Sequence, residues 1–247
     1  MNHRTPALLA LAGTSLACAA LLLPSAGSAR VRHHRPAVVR PVLVELYTAQ
    51  GCEGCPQADL ALGELAKRKG VVALTFSVDI WDYTGWSDTF AQPEFTARQQ
   101  AYVKRMKLRE IYTPEIVVDG AAEAAGSDKD AVATLIDKAG KVALVGPRVT
   151  LNRDGDKVSV AAARASGAAE VWLVRYDPKL REVKVKAGDN KGKTVIVANA
   201  VKELVRLGVW RGKAKHYDLP DATADGLKTV VLVQGIRGGR VMSLGKN

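Results

Sequence analysis

The chain changes its hydrophobic rhythm partway along. In the first half, short apolar runs alternate with stretches of helical spacing. "VLVELY", Val42 to Tyr47, predicts an apolar strand. Behind it, Ala58, Ala61, Leu62, Leu65 and Ala66 recur at helical spacing. Pro56 suits the first turn of that helix, and Lys69 and Gly70 end it. "VVALTFSVDI" predicts a buried strand, and a 14-residue loop from Trp81 to Glu94 leads to a second helix with Phe95, Tyr102, Val103 and Met106 on one face. "IYTPEIVVDGAAEAAG" predicts two short strands hinged at Asp119-Gly120, a residue pair that favours a tight hairpin. A closing helix follows, capped by Ser127, with Asp130 where a capping-box acid belongs and Val132, Leu135 and Ile136 turned inward.

From Arg148 onward the pattern is alternation. "RVTLN" and "KVSVAA" flank "RDGD", "EVWLVRY" and "REVKVKA" flank "DPKL", and "TVIVANAV", "TVVLVQGI" and "GRVMSL" follow. "NAVKELVRLGVW" fits either a strand or a short helix, and its alternation favours the strand. Paired strands with turn residues between them predict an antiparallel sheet or sandwich. The expected organisation is therefore an α/β domain over 41–146 and an all-β, sandwich-like domain over 147–247, divided near Gly146-Pro147.

Ahead of both, residues 1–29 have the plan of an export signal: Arg4, the apolar "ALLALAGTSLACAALLL", then the small residues of "PSAGSA" ending at Ala29. Cys18 lacks the apolar third upstream neighbour of a lipid-anchored signal, and no later apolar stretch is long enough to span a bilayer. The expectation is a processed, soluble, secreted or periplasmic protein, its residues 30–40 a flexible basic lead-in. Charge then separates the halves. Residues 147–247 hold 20 Lys and Arg against 10 Asp and Glu, a net +10, while residues 30–146 hold 15 of each. In an exported chain this points to an anionic envelope component rather than to nucleic acid, beside the simpler role of solvated strand faces.

Removal of Cys18 with the signal leaves Cys52 and Cys55, in "TAQGCEGCPQAD", as the cysteines of the mature chain. A four-residue loop is a poor staple, contributing only about 2 kcal/mol by chain entropy. Three uses stay open: redox exchange, a structural disulfide in a binding protein whose basic second half does the work, or a copper or zinc clamp. The clamp wants a third ligand, and His33, His34, His216, Met106 and Met242 all lie outside the motif, so no cofactor and no metal ligand is assigned.

The order strand, Cys-x-x-Cys, helix, strand, helix, X-Pro strand, hairpin, helix over about Val38 to Lys141 resembles the thioredoxin fold. That resemblance implies that Cys52 sits at a helix N-terminus as the activated thiolate, with Cys55 one turn inside as the resolving thiol. It matches Thr113-Pro114 to the cis-proline facing the cysteines, with the Thr113 backbone free to dock an extended peptide. It matches Glu45, with one extra residue in between, to the buried acid that moves a proton to the second cysteine. Gln50 and Gly51 replace the usual Trp, and Glu53-Gly54 the usual Gly-Pro. Glu53 would oppose a thiolate at Cys52, which implies a weaker oxidant than a strongly oxidising dithiol protein. Trp81, Tyr83 and Trp86 of "WDYTGW" are candidate walls for a bound client, and Asp79 and Asp82 are candidate turn or cap residues.

"VELYTAQGCEGCPQAD", "VDIWDYTGWSDTFAQPEFTARQQAY", "YTPEIVVDG" and "NAVKELVRLGVWRG" together resemble a family of secreted bacterial thioredoxin-like proteins of unknown function. This resemblance implies the fold and the exported location rather than the reaction, while the thioredoxin-like cysteine site implies exchange with an exported client that carries thiols or a disulfide. An external redox partner is also implied, because no second cysteine pair recharges the first.

Overall fold

The structure, a computed structural model, describes residues 40–247. The predicted signal segment, His33 and His34 lie outside the described residues. Arg40, assigned to a flexible lead-in, is anchored instead: its guanidinium pairs with the buried Asp119 at 2.8 Å and also donates to the Ala139 and Val142 carbonyls.

β1 (Val42–Thr48) leads through the cysteine loop into α1 (Cys55–Ala66), then β2 (Val71–Ser77), a 3-10 turn at Asp82–Thr84, and α2 (Pro93–Met106). β3 (Glu115–Val118) and β4 (Ala122–Ala125) form the predicted hairpin at Asp119-Gly120, both residues with positive φ. α3 (Lys129–Gly140) follows, but its cap is Asp128, whose carboxylate accepts from the Ala131 N–H at 2.9 Å, rather than Ser127. The second half holds β5 (Val149–Leu151), β6 (Lys157–Val160), β7 (Ala169–Asp177), β8 (Arg181–Lys184), β9 (Thr194–Val197), β10 (Ala200–Trp210), β11 (Lys215–Asp218), β12 (Lys228–Gly235) and β13 (Val241–Lys246). The ambiguous "NAVKELVRLGVW" is strand β10. β5 and β6 pair as read, whereas β7 pairs with β10 and β12, and β8 turns back on β9.

The expected division into an α/β thioredoxin-like domain and a separate all-β domain is overturned. The protein is mostly β, with three short helices among the described residues. Its main sheet has eight strands in the order β13-β12-β7-β10-β2-β1-β3-β4, so strands of both halves lie in one mixed sheet. β1 and β2 run parallel, and β10 joins β2 through a parallel bridge at Ala200 and Thr75. Short polar links sew that seam: Thr75 N donates to Asn199 O at 3.1 Å, Thr75 Oγ1 to Ala198 O at 2.6 Å, and Asn199 Nδ2 to Ala73 O at 2.8 Å. Small sheets β11-β6-β5 and β8-β9 flank it.

Strand period decides what each face holds, because neighbouring residues point to opposite sides. Val42, Val44 and Leu46 pack with Ala58 and Leu62 of α1 and Val132 and Ile136 of α3. Leu43 and Tyr47 face the other way, into a cluster with Phe76, Phe95, Tyr102, Val174, Val201, Leu232 and Val241. This second cluster draws on both halves of the chain, which is why the second half is not a sandwich of its own.

Candidate functional site around the Cys52–Cys55 disulfide

β1 ends at Thr48 and the chain tightens at once, with Cys52 N donating to Ala49 O at 3.1 Å and Cys55 N to Cys52 O at 3.2 Å. Cys52 and Cys55 form a disulfide, their Cα atoms 5.4 Å apart. α1 begins at Cys55 rather than at Cys52, with Pro56 in its first turn. Its cap residue Gly54 provides no side-chain acceptor, and no acidic residue stands in the first turn. The dipole of this helix start favours negative charge on a nearby sulfur. Cys52 is 3% exposed and Cys55 0%, with Ala49 and Trp81 packed against them, while Glu53 and Gly54 between them are exposed.

The Thr113-Pro114 peptide bond is cis. Pro114 lies against the cysteine loop: a methyl group added at Gly54 would sit 3.8 Å from its Cδ. Thr113 is beyond the last registered pair of β1 and β3, Tyr47 with Glu115. Its hydroxyl accepts from Trp81 Nε1 at 2.7 Å, which holds the indole beside the disulfide. Tyr83 stacks on Trp81 at 6.1 Å and is 81% exposed, making an aromatic shelf at the rim.

Trp86 is not part of that wall. Its indole donates to Gln50 Oε1 at 2.9 Å, and with Phe90 it packs under Val185, Val195 and Val197. Glu45 is also elsewhere. It shares the face of Leu43 and Tyr47, across the sheet from α1, and both of its oxygens are occupied: Arg98 Nε donates at 2.7 Å and Tyr102 Oη at 2.6 Å. Asp79 accepts from Thr96 Oγ1 at 2.7 Å, and Asp82 from the Asp88 N–H at 3.0 Å, both local supports of the loop.

Three residues that the sequence reading passed over complete the site. Asn190, fully buried in the β8–β9 loop, donates its amide to Gln50 O at 2.9 Å and Cys52 O at 2.7 Å. Asp88 accepts from the Gln50 N–H at 2.7 Å, and burial raises its carboxyl's affinity for protons against the pull of that bond. Asp59, four residues after Cys55 on α1, is 2% exposed. Burial pushes its carboxyl up to about 8, Asp88 adding to the rise and the Thr48 hydroxyl opposing it.

Among the described residues, no group of three or more His, Cys, Asp or Glu is placed to hold a metal ion. His216 meets Ser159 Oγ at 2.9 Å on the β6–β11 pair, and Met106 and Met242 fill apolar clusters. No described helix is long and apolar enough to cross a membrane.

The fold has counterparts among solved structures. The crystal structure of protein AGR_C_4864 from Agrobacterium tumefaciens is similar with a TM-score of 0.69 and 26% identity, over 84% of this chain and 94% of that one. HBP35 of Porphyromonas gingivalis shares the fold at a TM-score of 0.53 and 12% identity, over 84% of this chain and 74% of that one. The sequence matches no curated protein. Residues 43–234 match the family described as "Protein of unknown function (DUF1223)", and the chain belongs to that family.

Proposed function

We propose that the chain is a thiol-disulfide exchange protein in which Cys52 is the sulfur attacked from outside and Cys55 its buried partner. One arrangement carries this reading. The disulfide lies at an uncapped helix start, between Pro114 and an aromatic shelf whose outer member, Tyr83, is open to solvent. A thiolate released at Cys52 would be stabilised by the helix start, while Cys55 is positioned to close on a mixed disulfide. An extended client segment would lie along Thr113 and against Trp81 and Tyr83. The predicted export segment directs the reading to secreted or periplasmic clients, with an external redox partner to reset the pair. The basic excess of the second half suits an anionic envelope component.

Cys55→Ser should trap covalent mixed disulfides with envelope proteins, and Cys52→Ser should trap few. A structural disulfide is the competing reading, favoured by the burial of both sulfurs. It requires a reduction potential far below that of glutathione and no trapped partner from either variant. Stoichiometric copper or zinc on the purified protein, released by either substitution, would replace exchange with a metal clamp.

A further inference from the structure

Asp59 is a buried acid whose polar neighbour, the Thr48 hydroxyl, only partly offsets its burial and is not seated in a hydrogen bond to it. Neither of its carboxylate oxygens has a hydrogen-bond partner among the described residues, and the same is true of the adjacent Thr48 hydroxyl. An isolated buried carboxylate is costly, so such a group is retained against a stability penalty. Its place in α1 is specific. Residues four apart on a helix lie on one face with Cβ atoms about 5–6 Å apart. Helical side chains also lean toward the N-terminus, so Asp59 leans toward Cys55. Ala58 and Leu62 of the same helix pack on the β1 face that carries Val44 and Leu46, and Thr48 shares their parity on β1. Asp59 and Cys55, 2% and 0% exposed, are thus buried one helical turn apart. The polar groups acting on the carboxyl are few: Thr48 from β1 and Asp88 from the loop ahead of α2. Glu45 and Arg98 lie across the sheet, bound to each other.

Resting on the exchange reading, we propose that Asp59 is the proton donor to Cys55 when the disulfide opens and the proton acceptor from Cys55 when it closes. In the opening direction, a client thiolate attacks Cys52 Sγ, the Cys52–Cys55 bond breaks, and the electron pair leaves on Cys55 Sγ. Asp59 protonates that sulfur. A second client thiolate then attacks the client sulfur of the mixed disulfide and expels Cys52 as thiolate. Two electrons pass from the client dithiol to the protein, the client gains a disulfide, and Asp59 recovers its proton from solvent. Cys55 is fully buried, so without a local donor its thiolate would form in an apolar setting that disfavours it. A donor that titrates near neutrality serves both directions.

The test is the rate at which dithiothreitol opens the disulfide in the wild type and in Asp59→Asn, followed from about pH 6 to pH 9.5, with far-UV circular dichroism confirming that both are folded. The ratio of the two rates cancels the ionisation of dithiothreitol. It should be at least ~100-fold in favour of the wild type at low pH, the lower end of general acid catalysis, and fall toward one above the Asp59 titration. Asp59→Glu should restore part of the difference. A ratio that does not change with pH overturns the proposal. Opening by dithiothreitol needs no client, so the ratio reads Asp59 whether or not a protein partner is found. Client trapping by Cys55→Ser alongside a flat ratio would leave exchange standing and remove Asp59 from it.

Discussion

Asp59 and Glu45 are both buried carboxyls close in sequence to the cysteines, and their surroundings make them opposites. Glu45 is bound on both oxygens within an Arg98–Tyr102–Gln234 network, while neither Asp59 oxygen is seated in a hydrogen bond and only the nearby Thr48 hydroxyl offsets its burial. The difference follows from strand period, since a shift of one residue along β1 moves a side chain to the other face of the sheet. Glu45 matched the expected acid only with one residue to spare, and that residue puts it on the side away from α1. Asp59 was legible in principle, as a polar residue in the buried stripe Cys55, Asp59, Leu62. An acid in a short helix, however, passes for an ordinary solvated position. Its burial has a measurable consequence in pH. The folded-state value of about 8 lies above the ordinary 3.8 of the unfolded chain, so between them the folded state binds more protons and loses stability as pH rises. Glu115, pushed up to about 7 by burial, acts in the same direction in both proteins. Asp59→Asn removes only the Asp59 slope. In urea unfolding of the oxidised protein, its stability relative to wild type should therefore grow by ~2–5 kcal/mol between pH 5 and pH 8, then level off. A difference independent of pH would mean that Asp59 is not held neutral in the folded state.

At the level of elements, the alternating pattern gave strands in nearly the right places but not their partners. "REVKVKA" reads as the return arm of a hairpin with β7, since "DPKL" between them is turn-like. The longer reach of β7 is taken instead by β10 and β12, and β8 pairs with β9. The loop between β8 and β9 is thereby carried onto the cysteine loop, where Gly188 approaches close enough that an added methyl would lie 2.9 Å from Thr84 Oγ1 and 3.6 Å from Gly51 Cα. Its positive φ of 71° and that contact both exclude a larger residue. Asn190 then joins the two loops through Gln50 O and Cys52 O, with Lys193 Nζ holding the amide oxygen at 3.0 Å. Asn190→Ala removes the side-chain donor of Gln50 O and leaves Cys52 O with the Cys55 N–H alone. It should cost ~1–3 kcal/mol in denaturant unfolding and speed opening of the disulfide by dithiothreitol several-fold at every pH, unlike the pH-limited effect of Asp59→Asn. An unchanged opening rate would show that the hairpin supports the fold without governing the cysteines.

Among the described residues, the change of rhythm near Gly146-Pro147 is real in the sequence but marks a passage from helices to strands within one unit. No local pattern could announce otherwise, because β10 meets β2 through a single registered pair and strand alternation is the same in an isolated sheet as in an extended one. The junction is packed rather than open. Pro147 is buried, and a methyl added at Gly146 would fall 2.5 Å from Met242 O of β13. Residues 40–146 alone would keep Phe76, Phe95 and Tyr102 but lose Val174, Val201, Leu232 and Val241 from the same cluster. They would also strand Arg98 Nη1 without Gln234 and Thr75 N without Asn199. Burying a large aliphatic side chain is worth ~1.5–3 kcal/mol, so these losses rival the ~5–15 kcal/mol of net stability a domain possesses. The full chain should accordingly unfold in one urea transition, with tryptophan fluorescence and far-UV circular dichroism coinciding. Residues 40–146 expressed alone should show no cooperative transition. A sharp transition in that fragment would mean that the cysteine-bearing half holds its core unaided and that the shared sheet is an attachment rather than a support.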